Sequence, residues 1–198
     1  MPTNGTHLVT GGKDAIDLTT SPQAFARGLA LANALYKELE IRGHPVRIVA
    51  GHRFIRPFLN SWTEPPHSTA RELNSPWVPK APTIATIAGV PIGLAIIEIH
   101  GEVLRRYIGG GDFVRASTAK SVNGVTWTET HLLPTGRFKI TAYSPHFPIP
   151  WRKEWCEVRR HSIEGLVDTI VLELEQLATT LPHAVFFLER EESDRVGT

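Results

Sequence analysis

Phe25, Leu29, Ala32, Tyr36 and Leu39 recur three or four residues apart, the period of one apolar stripe on an α-helix. Both ends of that helix are marked. Thr20 and Ser21 offer hydroxyls to an otherwise unpaired amide, and Pro22 suits the first helical position, where no N–H is missed. Arg42 falls in the last turn, where a cation suits the helix dipole, and Gly43 supplies a left-handed stop. The β-branched run 46–49 then predicts a short strand. A second stripe, Ile163, Leu166, Val167, Ile170, Leu174, Leu177 and Leu181, follows Ser162 as its cap and predicts a helix broken at Pro182.

Between the two stripes the period changes. Positions 83–88 and 92–100 are almost continuously apolar on either side of Gly89, Val90 and Pro91, which predicts a hairpin in the middle of a sheet. Residues 101–124, with Arg105, Arg106, the glycines 109–111 and Arg115, show little periodicity and read as loop. A strand is expected at 125–131, a turn at Pro134, Thr135 and Gly136, and a strand at 137–143 with Phe138, Ile140 and Ala142 on one face and Arg137, Lys139 and Thr141 on the other. The segment 51–82 holds Pro57, Pro65, Pro66, Pro76, Pro79 and Pro82, too many for any sheet, and its Trp62 and Trp77 read as pins holding a loop to the core.

Single strands do not alternate with helices, which argues against a doubly wound parallel sheet. The expected fold is α+β: a mainly antiparallel sheet with two long amphipathic helices packed on one face and a long proline-rich insertion. The chain divides into a polar tail at 1–20, a single α+β domain at 21–182 containing the excursion 51–82, and a C-terminal extension at 183–198. In that extension Val185, Phe186, Phe187 and Leu188 form a short apolar stretch compatible with a strand or a further helical turn.

Composition narrows the classes. With 41% apolar and 21% charged residues, the chain is neither a disordered polyelectrolyte nor a membrane protein. Its net charge of +1 gives no long-range field to steer a partner. A single cysteine, Cys156, forms no internal disulfide, and no apolar run approaches the roughly 18 residues of a spanning helix. The expected compartment is a bacterial cytoplasm, with no membrane partner.

The candidate chemistry is sparse. Glu98, His100 and Glu102 alternate along a strand end, and two carboxylates with an imidazole there, near Asp112, could hold a divalent metal for hydrolase or nuclease chemistry. A solvated strand end produces the same pattern. Gly109, Gly110, Gly111 and Asp112 could cradle a phosphate, but no amphipathic helix follows, so they read as a turn. The nine histidines are scattered with no zincin spacing, and no serine sits in a nucleophile elbow. Neither a catalytic metal nor a cofactor is expected.

A surface remains. Trp151, Arg152, Lys153, Trp155, Arg159, Arg160 and His161, with Lys139 on the strand before, interleave cations with indoles. Nucleic-acid binding requires cations for phosphates and flat rings for bases. Tryptophans ahead of a core helix also serve as packing anchors, and Glu154, Glu157 and Glu164 dilute the charge.

Segments 30–46 and 134–174, a helix ending at Arg42 and Gly43 and a strand leading through tryptophans to the closing stripe, resemble a family of uncharacterised bacterial proteins that often carry an N-terminal helix-turn-helix region. That resemblance implies a DNA-associated role. This chain departs from the pattern, since only about twenty polar residues precede its first helix. The leading expectation is a non-catalytic module that binds nucleic acid or a protein partner, as one component of a mobile-element or defence assembly. The alternatives are the metal-dependent hydrolase and a scaffold whose 51–82 excursion and 185–188 stretch contact a partner or a second copy.

Overall fold

The computed structural model describes residues 15–49, 54–67, 69–72, 77–118, 126–146 and 150–196, with side chains left undescribed at 71–72 and 182–196. In chain order the elements are β1 (Leu18–Thr19), α1 (Phe25–Ile41), β2 (Val46–Ile48), β3 (Arg71–Glu72), β4 (Thr83–Ile87), β5 (Val90–Gly109), β6 (Asp112–Arg115), β7 (Thr128–Tyr143), β8 (Arg152–Cys156), a 3-10 turn (Ile163–Leu166) and α2 (Val167–Val196). Among the described residues no helix is long and apolar enough to cross a membrane.

All eight strands share one sheet built on the antiparallel pair β5 and β7. β4 turns into β5 through Ala88 (φ 49°) and Gly89 (φ 84°), two left-handed residues whose twist matches that of the strands they join. β2 lies outside β4, and β8 pairs with the far edge of β7. Two short strands run parallel to their neighbours: β1 beside β5, with Leu18 opposite Ile96, and β3 beside β7. The N-terminal stretch that reads as a polar tail thus supplies a sheet strand.

The region 101–124 is less of a loop than its hydropathy implies. β5 continues through Gly109, 20 residues in all and roughly 65 Å at about 3.3 Å per residue. It then turns through Gly109, Gly110 and Gly111, all at positive φ, into β6. Beyond 118 the expected loop lies outside the described residues, as does Val125 at the head of the predicted strand. The expected turn at 134–136 is a bulge inside one long strand. Glu98 pairs with Phe138 and His100 with Pro134, so three residues of β7 oppose one of β5, and Gly136 takes φ 76°.

The expectation of two long amphipathic helices packed on one face of the sheet is corrected. The sheet outgrows the helices. α1 has 17 residues, and the core that the helices share with the sheet draws on β5 no further than Ile96 and on β7 from Phe138 onward. α1 buries Gly28, Leu31, Ala32, Leu35 and Leu39, while Leu29 of the predicted stripe is 45% exposed. Two helical stripes one residue apart are both written in this segment, and packing selects the Leu31 and Leu35 set. Ile163, Val167, Ile170, Val171, Leu174, Ala178 and Leu181 complete the core from the other helix. The backbone of α2 runs on past Pro182 to Val196, since one lost hydrogen bond need not end a helix. The side chains of Val185, Phe186, Phe187 and Leu188 lie outside the described set. Arg42 ties the helices together by bonding Glu38, Asp168 and Glu175, and His44 adds a 2.8 Å contact to Glu175. Gly43 takes φ 82° as the predicted stop.

The described part of the proline-rich excursion covers the opposite face. Leu94 and Ile96 point to the helices, whereas Ala95 and Ile97 meet Leu59 and Tyr143. Arg56 forms a two-pronged pair with Asp17 at 2.6 and 3.1 Å, with side chains 9% and 0% exposed. Burial pushes the Asp17 carboxyl up, and the Arg56 guanidinium opposes it. The backbone of the excursion is also pinned, by His100 N donating to the Ser61 carbonyl at 2.7 Å and Thr19 Oγ1 to the Trp77 carbonyl at 3.1 Å.

Candidate functional site

Glu98, His100 and Glu102 share one strand but not one site. Glu98 is 1% exposed and fills the β7 bulge: its carboxylate accepts from Gly136 N at 2.8 Å, Ser21 N at 2.7 Å and Thr20 Oγ1 at 3.3 Å. The charge satisfies amides that the bulge and the approach to α1 leave without strand or helix partners. Glu102 is exposed and bonds His67, whose amide and ring hold its carboxyl below the usual range. Among the described residues no group of three or more His, Cys, Asp or Glu side chains is placed to hold a metal ion. Asp112 lies at the tip of the β5–β6 hairpin, opposite Gly109.

The aromatic and basic segment divides in two. Lys139 is fully buried, with Nζ donating to Asn60 Oδ1 at 2.8 Å, to the Trp62 carbonyl at 3.2 Å and to both Glu154 oxygens. Trp151 and Trp155 pack against the helical core. Trp155 Nε1 donates to Glu173 at 2.9 Å, and Lys153 lies 2.5 Å from the same carboxylate and over the Trp155 ring. Together they hold the Glu173 carboxyl below its ordinary value.

The other half faces water. Arg152 is 46% exposed and 3.6 Å from Glu154. Arg159, Arg160 and His161 are exposed on a turn closed by a bridge between Val158 and His161. Among the described residues their side chains have no acidic partner. The neighbouring acids are already engaged, since Arg27 bonds Glu157 at 2.8 Å and Glu164 at 2.8 and 2.9 Å. Burial of Glu164 works against its charge, but bonds from Arg27 and Ser162 prevail and hold it at about 2. Burial pushes the Cys156 thiol up, against the lowering effect of Lys139.

A cleft of about 420 Å³ is lined by Ser21, Gln23, Arg27, Glu98, Arg115 and Gly136 among others. Arg27 forms its inner wall, spanning the Gly136 carbonyl at 2.6 Å and the Phe138 ring at 5.5 Å. Arg115 reaches it from β6. Hydropathy alone did not single out Arg115 or the rings near it, Tyr107, Phe113 and Trp127; the usable signal was the alternation of Val103, Arg105 and Tyr107. No family model, curated protein or solved structure matches this chain.

Proposed function

We propose that the chain is a non-catalytic nucleic-acid-binding module. The observation that carries this reading is the turn of Arg159, Arg160 and His161, three consecutive basic side chains in water with no acidic partner among the described residues. Cations in that state neutralise phosphates without first breaking an internal pair. The groups that could run a reaction are committed to the fold instead: Glu98 to the bulge, Lys139 to Glu154 and Asn60, Asp17 to Arg56.

The test is a titration of the full chain against labelled DNA and RNA, single-stranded and duplex, at low and moderate salt. Micromolar or tighter binding that weakens with salt is the expected result. Arg159→Glu with Arg160→Glu is expected to lower the slope of log affinity against log salt by about two, because each lost phosphate contact removes about one counterion. Unchanged binding by the double variant, or none by the parent at low salt, removes the proposal.

A further inference from the structure

Past the cleft, β5, β6 and β7 continue as a ribbon that brings Tyr107, Phe113 and Trp127 into one ring cluster. Tyr107 pairs with Phe113 across the β5–β6 ladder, and the Trp127 indole stacks on Tyr107 at 4.0 Å, 20° from parallel. Phe113 stands edge-on to both. A 4.0 Å spacing leaves no slot between the stacked rings, so a ligand meets the outer face of Trp127, a residue 44% exposed. The ring is oriented in advance: Nε1 donates to Glu129 at 3.0 Å, and Tyr107 N donates to the Trp127 carbonyl at 2.9 Å. An indole already fixed on both counts loses little freedom when a ligand docks.

A cation on the same face is uncommitted among the described residues. Arg105 and Arg115 pair across the ladder and so share the ribbon face with Tyr107 and Phe113. Arg105 bonds the Phe113 carbonyl and lies 3.4 Å from His131, whereas the Arg115 guanidinium has no bonded partner among the described residues. Arg115 also lines the cleft shared with Arg27, which joins the ribbon to the basic turn through Glu157 and Glu164.

We infer that this ribbon is a single-strand platform: an unpaired base stacks on the outer face of Trp127 while an adjoining phosphate pairs with Arg115. The inference rests on the nucleic-acid reading above and names its substrate class. A duplex keeps its bases stacked on one another and offers Trp127 no free face, while a single strand supplies both a flat ring and a nearby negative charge.

The experiment compares Trp127→Ala, Trp127→Phe and Arg115→Ala in the full chain, using a labelled single strand and its duplex, with a thermal melt of each variant. Trp127→Ala is expected to weaken single-strand binding roughly fivefold to a hundredfold and to leave duplex binding unchanged. Trp127→Phe is expected to retain most of the affinity, and Arg115→Ala to reduce the salt slope by about one. If Trp127→Ala melts early, the Phe and Arg115 variants carry the test. Single-strand affinity within about twofold of the parent in all three, while the Arg159 and Arg160 double variant loses binding, overturns the platform and leaves the proposed function standing. Absence of any binding by the parent overturns both. A concentration-dependent dimer abolished by Trp127→Ala gives this face to a second copy and overturns the platform too.

Discussion

The two halves of the β5–β7 pair belong to one hydrogen-bonded ladder and differ in what lies against them. From Gly93 to Glu98, every residue of β5 is buried: Leu94 and Ile96 join the cluster that holds the buried side chains of α1 and α2, and Ala95 and Ile97 join Leu59 of the excursion and Tyr143. From Gly101 to Gly109 the same strand has residues exposed to water, including Leu104 at 53% and Ile108 at 37%. The polar groups follow this division. In the covered half a charge survives only when a bonded partner is built in, as Lys139, Asp17 and Glu98 have. In the open half Arg115 needs none. Charged residues near the covered half therefore report on stability, while Arg115 on the ribbon has no bonded partner among the described residues and can meet a ligand.

The largest effect that would break this comparison lies in the Asp17–Arg56 pair. Arg56→Ala leaves a carboxylate buried without its cation, and an expected loss of about 3–5 kcal/mol should appear in denaturant unfolding. The loss should shrink in mild acid, because the stranded carboxyl can then take up a proton. The open half offers a control in the contact of Glu102 with the His67 ring, a side chain 84% exposed. His67→Ala is expected to leave the unfolding midpoint unchanged. Equal costs at the two sites would mean that the excursion does not seal its face.

A second contrast uses two glycines of β5. A Cβ at Gly93 would lie 2.2 Å from the Tyr143 ring, a fully buried side chain, while one at Gly101 meets Thr135 Cγ2 at 3.1 Å. Alanine favours a strand over glycine by about 0.5–1 kcal/mol. At Gly93 the overpacking, about 1–3 kcal/mol, exceeds that gain, so Gly93→Ala destabilises. At Gly101 the methyl group of Thr135 can give way, and Gly101→Ala is expected to be neutral or slightly stabilising. A Gly93→Ala variant as stable as the parent would show that Tyr143 does not fill the space above Gly93.

The same division explains what was legible in the sequence. Elements that close on local signals were readable: the stripe of α1 with Gly43 at its stop, the β4–β5 turn, and the alternation that sends Phe138, Ile140 and Ala142 to the core; the start of α1 was not, since the helix begins at Phe25 with Ala24 as its cap and no side-chain cap bond, three residues after Pro22. Features made by distant residues were not. Gly136 reads as a turn because nothing beside it announces that Glu98, 38 positions away, supplies an acceptor for its amide. Lys139 reads as a surface cation because its cover comes from Asn60 and Trp62. The ribbon stack escaped for a related reason, since Tyr107 and Trp127 meet only once the β5–β7 register is known. Hydropathy also ended β5 too early, because an open strand with charges and glycines resembles a loop until its partner is found.

The smallest expected effect sits at the boundary between the halves, where Arg27 joins Glu157 and Glu164 at the cleft. Glu164 is held at about 2, below its ordinary 4.5, against the cost of its partial burial. A carboxyl depressed in the folded state contributes stability that is present above about pH 4.5 and lost as pH falls toward 2. Both side chains are about one-third exposed, at 36% and 35%, so solvent screening limits the contribution to about 1 kcal/mol or less. Glu164→Gln should therefore flatten the acid limb of the stability profile by about that amount while changing little else. Parallel acid profiles for variant and parent would show that Arg27 is not held by Glu164. In that case Arg27 would rest on Glu157 alone, and its charge in the cleft would be compensated by one carboxylate instead of two.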